Sequence, residues 1–489
     1  MTENRIVIIG AGFAGRSIAS EIKLKGVPGK VVAFIDDDSQ KIGKTLEGIP
    51  VYGPINDIKK IIKKAPAEEA LIAIPGASRK RLKEIYSVLK TAKFVKIRIL
   101  PGISQIVDGD AHLIQTREIY AQDLLGRDPV LIPLKKSLTY LRGKRVLITG
   151  AGGSIGSELS RQLLFGGAQR LYLFGHGENS IYEVERDLRI LQEEGVGEKA
   201  IIVPIIGELK DRNYMHFILN RLRADVIFHC AAYKHVPMLE ANPIEAVKNN
   251  VFGTLNLLDS ANTAGTSRFV FISTDKAVDP ISIYGASKLI AEKLVLSNNQ
   301  GKMESIVVRF GNVLGSRGSI VPLFRKQILK GGPVTITHPE STRFFMTIPE
   351  AASLVLKAGG VGKGNNLYIL EMGEPLLIKE LAEQMIRFYG YEPEKEIALK
   401  YIGLRPGEKI SEKLCSSYET PQETEFPGIK RLLRNGEQKE PIECIVNSLR
   451  PVCYFDPLKP EVYRNRKVLK AIIKRYIPTL EIPDNEPEY

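Results

Sequence analysis

Along the chain, short apolar runs alternate with stretches whose apolar positions recur every three to four residues, and glycines stand where one pattern gives way to the other. The first such stretch is "RIVIIGAGFAGRSIASEI": a β-forming run, a glycine turn, then a helical period. "KVVAFIDDD", "EALIAIPG" and "FVKIRILP" follow as further strands, so residues 1–105 are expected to form a small Rossmann-like α/β domain. Residues 106–142 mix turn residues with short apolar pieces and read as a connector. The grammar restarts at "KRVLITGAGGSIGSELSRQLLFGG", with strands at "RLYLFG", "AIIVPIIG", "VIFHCAA", "RFVFIST" and "SIVVRFG", each followed by a helical stretch. Such alternation predicts a doubly wound parallel sheet with helices on both faces over 143–320, a second Rossmann-like domain. Beyond residue 320 the alternation fades, and 321–489 is expected to be a smaller substrate-binding part with a basic tail. In that tail "YRNRKVLKAIIKRY" places Val468, Leu469, Ile472, Ile473 and Tyr476 on one helical face. A surface helix packed on its own protein is expected, with docking at a membrane surface as the alternative.

Length and composition bound the function classes. A chain of 489 residues exceeds one ordinary core, in keeping with two or three domains. With 44% hydrophobic and 26% charged residues it reads as soluble and globular. No apolar run approaches the roughly 18 residues of a membrane span, and "MTENRIVIIG" lacks the regions of a signal peptide, so a cytoplasmic protein is expected. Cys230, Cys415, Cys444 and Cys453 are scattered without ligand spacing and read as free thiols. The histidines show no paired spacing, and no metal site is expected. A net charge of +13 favours an anionic partner. Without an aromatic-basic motif, nucleic acid is set aside in favour of phosphorylated ligands.

Each glycine turn suits a phosphate. In "GAGFAG", Gly10, Gly12 and Gly15 follow a strand and open a helix, and Asp36 ends the next strand where a ribose-binding carboxylate belongs. That register fits a nucleotide site, and equally a Rossmann-like fold whose glycines serve close packing alone. "TGAGGSIG" spaces Gly150, Gly153 and Gly156 as G-x-x-G-x-x-G. Backbone there must approach a pyrophosphate closely, and the helix N-terminus offers it unpaired N–H groups. The strand that follows ends in Gly175 rather than an acid, with Glu178 close by, so NAD and NADP both stay open.

The stretches "TGAGGSIGSE", "HCAAYKHVPMLEANP", "NNVFGTLNLL", "STDKAVDPISIYGASK", "RFGNVLGSRGSIVPLF", "THPESTRFFMTIPEA" and "GLRPGEK" resemble, in this order, the nucleotide-sugar 4,6-dehydratases of capsular and O-antigen polysaccharide biosynthesis. These are extended short-chain dehydrogenases/reductases, and the likeness covers roughly residues 120–420. The first domain is similar to the nucleotide-binding-like domain of the family's long, membrane-anchored branch, and a form without the transmembrane region is expected. The resemblance implies a UDP-sugar substrate, UDP-N-acetylglucosamine or a relative, and a homo-oligomer. It implies a cofactor, NAD or NADP, held by Gly150, Gly153, Ser154, Ile155, Gly156, Ala231, Ala232, Tyr284 and Lys288. Lys234, His235 and Asn312 should line the substrate cleft, with Arg343 and Arg405 as partners for the diphosphate or uracil end.

Apart from the resemblance, Tyr284 and Lys288 are four residues apart and so share one face of a helix. Bringing a phenol from about 10 to about 7 takes roughly 4 kcal/mol of phenolate stabilisation, which a nearby ammonium and a bound nicotinamide cation can supply. Tyr284 would then serve as base toward a sugar hydroxyl, tuned by Lys288. Oxidation alone leaves Asp275 and Lys276 without a task. A 4-keto sugar has an acidified C5 proton, and eliminating water across C5 and C6 needs a base for that proton and an acid for the departing hydroxyl. The resemblance assigns these roles to Lys276 and Asp275, with Thr274 bonding the 4-oxygen. Long-branch relatives can carry Met where this chain has Tyr284, which makes the oxidation step less ambiguous here. Two other readings compete: a UDP-sugar 4-epimerase, which would keep Tyr284 and Lys288 without needing a C5 base, and a nucleotide-sensing scaffold that binds without reacting.

Overall fold

A computed structural model describes residues 4–24, 29–100, 116–119, 123, 137–298, 302–435 and 441–488, so most of the expected connector lies outside the described residues. The chain divides into two compact units, Met1–Lys136 with Ile190–Gly197, and Ser137–Arg189 with Glu198–Tyr489.

In the first unit the run RIVII becomes a central strand, β1 (Arg5–Ile9), buried from its second residue onward. Helix α1 (Phe13–Leu24) leads to β2 (Lys30–Ile35), a short hairpin β3 (Thr45–Leu46) and β4 (Ile49–Tyr52), and helix α2 (Ile58–Lys64). Then come β5 (Glu69–Ile72), helix α3 (Arg79–Lys90), β6 (Lys96–Ile99) and β7 (Arg117–Glu118). The sheet order is β3-β4-β2-β1-β5-β6-β7, parallel except for its outermost strands. The strand order therefore reverses direction between β1 and β5, the crevice where open α/β sheets accept ligands.

The second unit repeats this plan on a larger scale. Strands β8 (Arg145–Thr149), β9 (Arg170–Gly175), β10 (Ile201–Ile206), β11 (Val226–His229), β12 (Arg268–Thr274) and β13 (Glu304–Phe310) lie in the order β10-β9-β8-β11-β12-β13, all parallel. Its reversal falls between β8 and β11. The sheet does not end where the sequence pattern fades: Asn366–Leu370 adds a further parallel strand beside β13, and Ile429–Arg434 and Glu419–Glu423 follow antiparallel. Turn-rich segments and short strand pairs separate these strands in sequence, which hides their shared sheet from periodicity.

Two packing features position the site. Helix Ile283–Leu296, which carries Tyr284 and Lys288, is buried along nearly its whole length, and Ser282 caps it by accepting from the Gly285 N–H. Over it lie helices Ile442–Cys453 and Arg466–Tyr476. Leu469 and Ile473 are wholly buried, with Val468, Ile472 and Tyr476 packed at the edge, so the apolar face of the basic tail is satisfied by its own protein. Lys470 is buried too, held by Glu240 at 3.0 Å and Glu486 at 2.8 Å. Glu240 also accepts the Ile283 N–H at 2.7 Å, tying this tail to the first turn of the helix.

Candidate functional site

At the reversal between β8 and β11 the glycine turn is built by contact. Gly150 sits at φ +67°, and a Cβ there would lie 2.8 Å from the Ala231 backbone; one on Gly156 would lie 2.3 Å from the Gly150 carbonyl oxygen. Both glycines let helix Ser154–Leu163 start directly against the sheet, with its first N–H groups at the mouth of the turn. Gly153 precedes that helix without a capping side chain. A pyrophosphate therefore fits on backbone donors here. Arg317, which sequence reasoning missed between two glycines of "GSRGS", braces the turn: its guanidinium donates to the Gly152 carbonyl at 2.8 Å and its backbone N–H to Ser154 Oγ at 3.0 Å.

A cleft of about 940 Å³ opens from this turn. It is lined by Gly150, Gly153, Ser154, Ile155 and Gly156 at one end. Ala232, Lys234 and His235 enter from the segment after β11; Thr274, Lys276, Tyr284, Lys288 and Asn312 form the other side. Ala231 faces an adjoining cavity of about 260 Å³ with Gly175 and His176, and Glu178 does not line it. Asn250, a second residue that sequence reasoning left unassigned, sits in a π-turn of the helix after Pro243. Its side chain pairs with both backbone groups of Tyr233 and donates to Ser287 Oγ at 3.0 Å, fastening the segment after β11 to the Tyr284 helix. Such turns recur at functional sites.

The polar groups quoted in "STDKAVDPISIYGASK" converge. Thr274 ends β12, and the chain turns immediately, which places Asp275 beneath the cleft floor with no exposed surface. Its Oδ1 accepts from Thr274 Oγ1 and from Lys276 Nζ, each at 3.0 Å, while Oδ2 has no hydrogen-bond partner among the described residues. Lys276 Nζ also donates to Asn312 Oδ1 at 3.2 Å. A bonded path thus runs from the Thr274 hydroxyl through the Asp275 carboxyl to the Lys276 ammonium, and the Tyr284 phenol lies close enough to feel Thr274 and Lys276.

Burial sets the proton affinities, and neighbours adjust them. Burial works against the Lys276 ammonium, but the Asp275 and Glu412 carboxylates outweigh it and hold its pKa above the ordinary lysine value. Burial pushes the Tyr284 phenol up, against the pull of Lys276 and of the Thr274 side chain. Burial brings Lys288 down to about 7. Its amine donates to the Ile272 carbonyl at 2.7 Å and lies over the Phe271 ring. The cation acting on the phenol is therefore Lys276 rather than Lys288. His235 is lowered by burial and by Lys234 and Arg405, and Lys234 by burial.

Glu412 is a third unforeseen member. Its carboxylate is 3.5 Å from Lys276 Nζ, and nothing in "GEKISEKL" distinguishes it from a solvated charge. Arg343 and Arg405 do not line the cleft. The Arg343 guanidinium is engaged with the carbonyls of Thr342, Lys409 and Ile410, and Arg405 pairs with Glu408.

In the first unit Gly10 has φ +103°, a Cβ on Gly15 would lie 2.0 Å from the Gly10 carbonyl oxygen, and one on Gly12 would meet nothing within 4 Å. The Asp36 carboxylate accepts the Ala11 N–H at 2.7 Å and the Asp38 N–H at 2.9 Å, and pairs with Lys41. Those bonds hold the turn itself.

Comparison with known proteins follows this division. Residues 146–433 match the family described as polysaccharide biosynthesis protein, and residues 2–101 match a CoA-binding domain. The probable polysaccharide biosynthesis protein EpsC of Bacillus subtilis is 42% identical over 431 residues, 87% of this chain and 71% of that protein. A UDP-N-acetylglucosamine 4,6-dehydratase (inverting) of Campylobacter jejuni is 32% identical over 58% of this chain and 81% of its own. A UDP-glucose 4-epimerase of Rickettsia prowazekii is 32% identical over 64% and 89%. Among solved structures, that of Pen from Bacillus thuringiensis covers 60% of this chain and 89% of its own with a TM-score of 0.54 and 31% identity.

Proposed function

The chain belongs to the polysaccharide biosynthesis protein family, and from that premise we propose that it is an NAD- or NADP-dependent 4,6-dehydratase of a UDP-sugar, UDP-N-acetylglucosamine or a close relative. The coarser part of this reading, an enzyme of the nucleotide-sugar dehydratase and epimerase type with an extended short-chain dehydrogenase/reductase fold, rests on its relatives. The observation that carries the finer part is the Asp275–Lys276 pair, bonded to Thr274 and sharing one site with Tyr284. An epimerase, which only exchanges the configuration at C4, has no use for an acid and an amine there.

A nicotinamide dinucleotide on the Gly150–Gly156 turn supplies the acceptor and later the donor of hydride. Tyr284 takes the proton of the sugar 4-hydroxyl as that carbon becomes a ketone. Burial holds the phenol above its ordinary pKa, so the bound substrate and dinucleotide must favour the phenolate for Tyr284 to act as base. In the neutral form of the pair, with the proton that Lys276 and Asp275 share placed on Asp275, Lys276 accepts the C5 proton, the C6–O bond breaks, and Asp275 provides the proton with which the 6-hydroxyl leaves as water. Asp275 lies behind the cleft surface, so its proton reaches the sugar through the groups on its Oδ1, Thr274 and Lys276. Lys276 returns a proton to C5 when hydride is added at C6, and the net change is the loss of one water. In the first unit, the Gly10–Gly15 turn is proposed as a second nucleotide site, open at Gly12.

Incubation with UDP-N-acetylglucosamine and either dinucleotide tests the reading. A product lighter by one water supports it; an isobaric product assigns the 4-epimerase instead, the reading that the rickettsial relative favours.

A further inference from the structure

We propose that Glu412 is a positioning residue for the elimination, stabilising the ammonium that forms on Lys276 when it takes the C5 proton. For its purpose this inference rests on the dehydratase reading; the geometry behind it does not. The Glu412 side chain is 4% exposed, with Oε1 3.5 Å from Lys276 Nζ. Among the described residues its Oε2 has no hydrogen-bond partner and stands 3.8 Å from Lys409 Nζ. Lys409 is held elsewhere, donating to the carbonyls of Val278 and Asp279 at 2.8 Å each. Those carbonyls belong to the turn that carries Asp275 and Lys276. Arg343 fixes the same segment by donating to the Lys409 and Ile410 carbonyls at 2.7 Å. A buried carboxylate is thus anchored on Lys276 from an element far along the chain, with the bonds of its neighbours already spent.

The proton inventory gives this carboxylate a task. In the elimination one proton moves from C5 to Lys276 and one moves from Asp275 to the departing hydroxyl, so an ammonium and a new carboxylate appear together and water leaves. Charge on Lys276 develops next to a fixed negative group, and a pre-oriented charge of that kind lowers the barrier without reorganising at the moment of reaction. Asp275, Tyr284, Arg343, Lys409 and Glu412 are the charged or titratable groups facing Lys276 or its partner. Only Asp275 and Glu412 are carboxylates, and Asp275 is consumed as the acid. Glu412 remains to hold Lys276 as a stronger base.

E412Q keeps the shape and removes the charge. Nitrogen-15 titration of Lys276 Nζ reads the effect whether or not the enzyme turns over. Its midpoint should fall by about 1–3 units, the range for an opposite charge at this separation. With UDP-N-acetylglucosamine, the acid limb of the kcat profile should move to lower pH in step. Above that limb, where Lys276 is a free amine in both proteins, deuterium entry at C5 and kcat should both fall, by less than the about 10²–10⁴-fold that a general base supplies, because a weaker base meets the C5 proton. Unchanged dinucleotide affinity by calorimetry confirms the fold. An unmoved Lys276 midpoint in E412Q would overturn the inference, leaving Glu412 a structural ion pair. A wild-type enzyme that removes no water would sink the dehydratase reading alone, since the titration stands without it. Should E412Q fail to fold, Glu412→Asp serves as the second variant. It keeps the charge but draws it away from Lys276 Nζ, so the Lys276 midpoint should fall below that of the wild type; an unmoved midpoint would contradict the proposal.

Discussion

Replacing Asp275 by Asn tests the acid. Asp275 has no exposed surface and accepts two bonds on Oδ1, from Thr274 and Lys276. The Asn oxygen will stay toward the Lys276 ammonium, which places the amide nitrogen where Oδ2 now lies without a partner among the described residues. A buried N–H there costs about 1–3 kcal/mol, and the bond to Lys276 loses the extra strength of a charged acceptor. The variant should fold with a stability lower by a few kcal/mol, seen in urea denaturation. The catalytic effect is larger in proportion. Losing a general acid costs about 10²–10⁴-fold, or roughly 2.7–5.5 kcal/mol of barrier. Because Asp275 does not line the cleft, KM should change by only a few-fold, and the loss should appear in kcat. The assay is single-turnover release of water from UDP-N-acetylglucosamine by mass spectrometry, beside substrate binding by calorimetry. A folded D275N enzyme with kcat near wild type would refute the role; loss of binding with kcat retained would make Asp275 a packing residue.

Other outcomes follow from the same geometry. Tyr284→Phe should abolish oxidation at C4 while leaving dinucleotide affinity within a few-fold, checked by calorimetry beside product mass. Gly156→Ala pushes a methyl to 2.3 Å from the Gly150 carbonyl oxygen, and dinucleotide binding should fall by more than tenfold; Gly12→Ala, which meets nothing within 4 Å, should leave the first unit folded by circular dichroism. Lys288 is brought down to about 7 by burial, so the native state binds fewer protons than the unfolded chain between about 7 and 10.4. In the ligand-free protein that lysine's contribution should make stability rise with pH by about 1.4 kcal/mol per unit across this window, with the full penalty present below it. Lys288→Met should lack that slope in urea melts at pH 7 to 9.5; equal slopes in both proteins would place Lys288 nearer water.

The sequence was most legible where backbone and side chain obey one period. Both glycine turns follow strands made of unbroken apolar runs, and Tyr284 and Lys288 are four apart on a helix, so their common face could be read directly. Thr274, Asp275 and Lys276 were legible because a strand ends at Thr274. What stayed hidden depends on distant segments. Glu412 reaches Lys276 through a fold that brings residues 409–412 onto the turn after β12, and no local pattern encodes that approach. Arg317 looks like one more surface arginine until its contact with Gly152 is seen. Arg343 and Arg405, expected at the diphosphate or uracil end because guanidinium suits phosphate, lie on backbone carbonyls and on Glu408, partners that no local pattern announces. Residue type gave the chemistry of a guanidinium there, but only tertiary packing decided its partner. The strand Asn366–Leu370 escaped for a related reason: five residues between turn-rich segments carry too little periodicity to announce a seventh parallel strand.

The central claim is that one hydrogen leaves C4 of the sugar and comes back at C6, with the acid and the amine removing water in between. UDP-N-acetylglucosamine deuterated at C4, turned over in ordinary water, tests it most directly by proton and deuterium NMR of the product. The account expects a 4-keto sugar with the label on its C6 methyl group. Label that returns to C4 in a product of unchanged mass, or that washes into water, would contradict it.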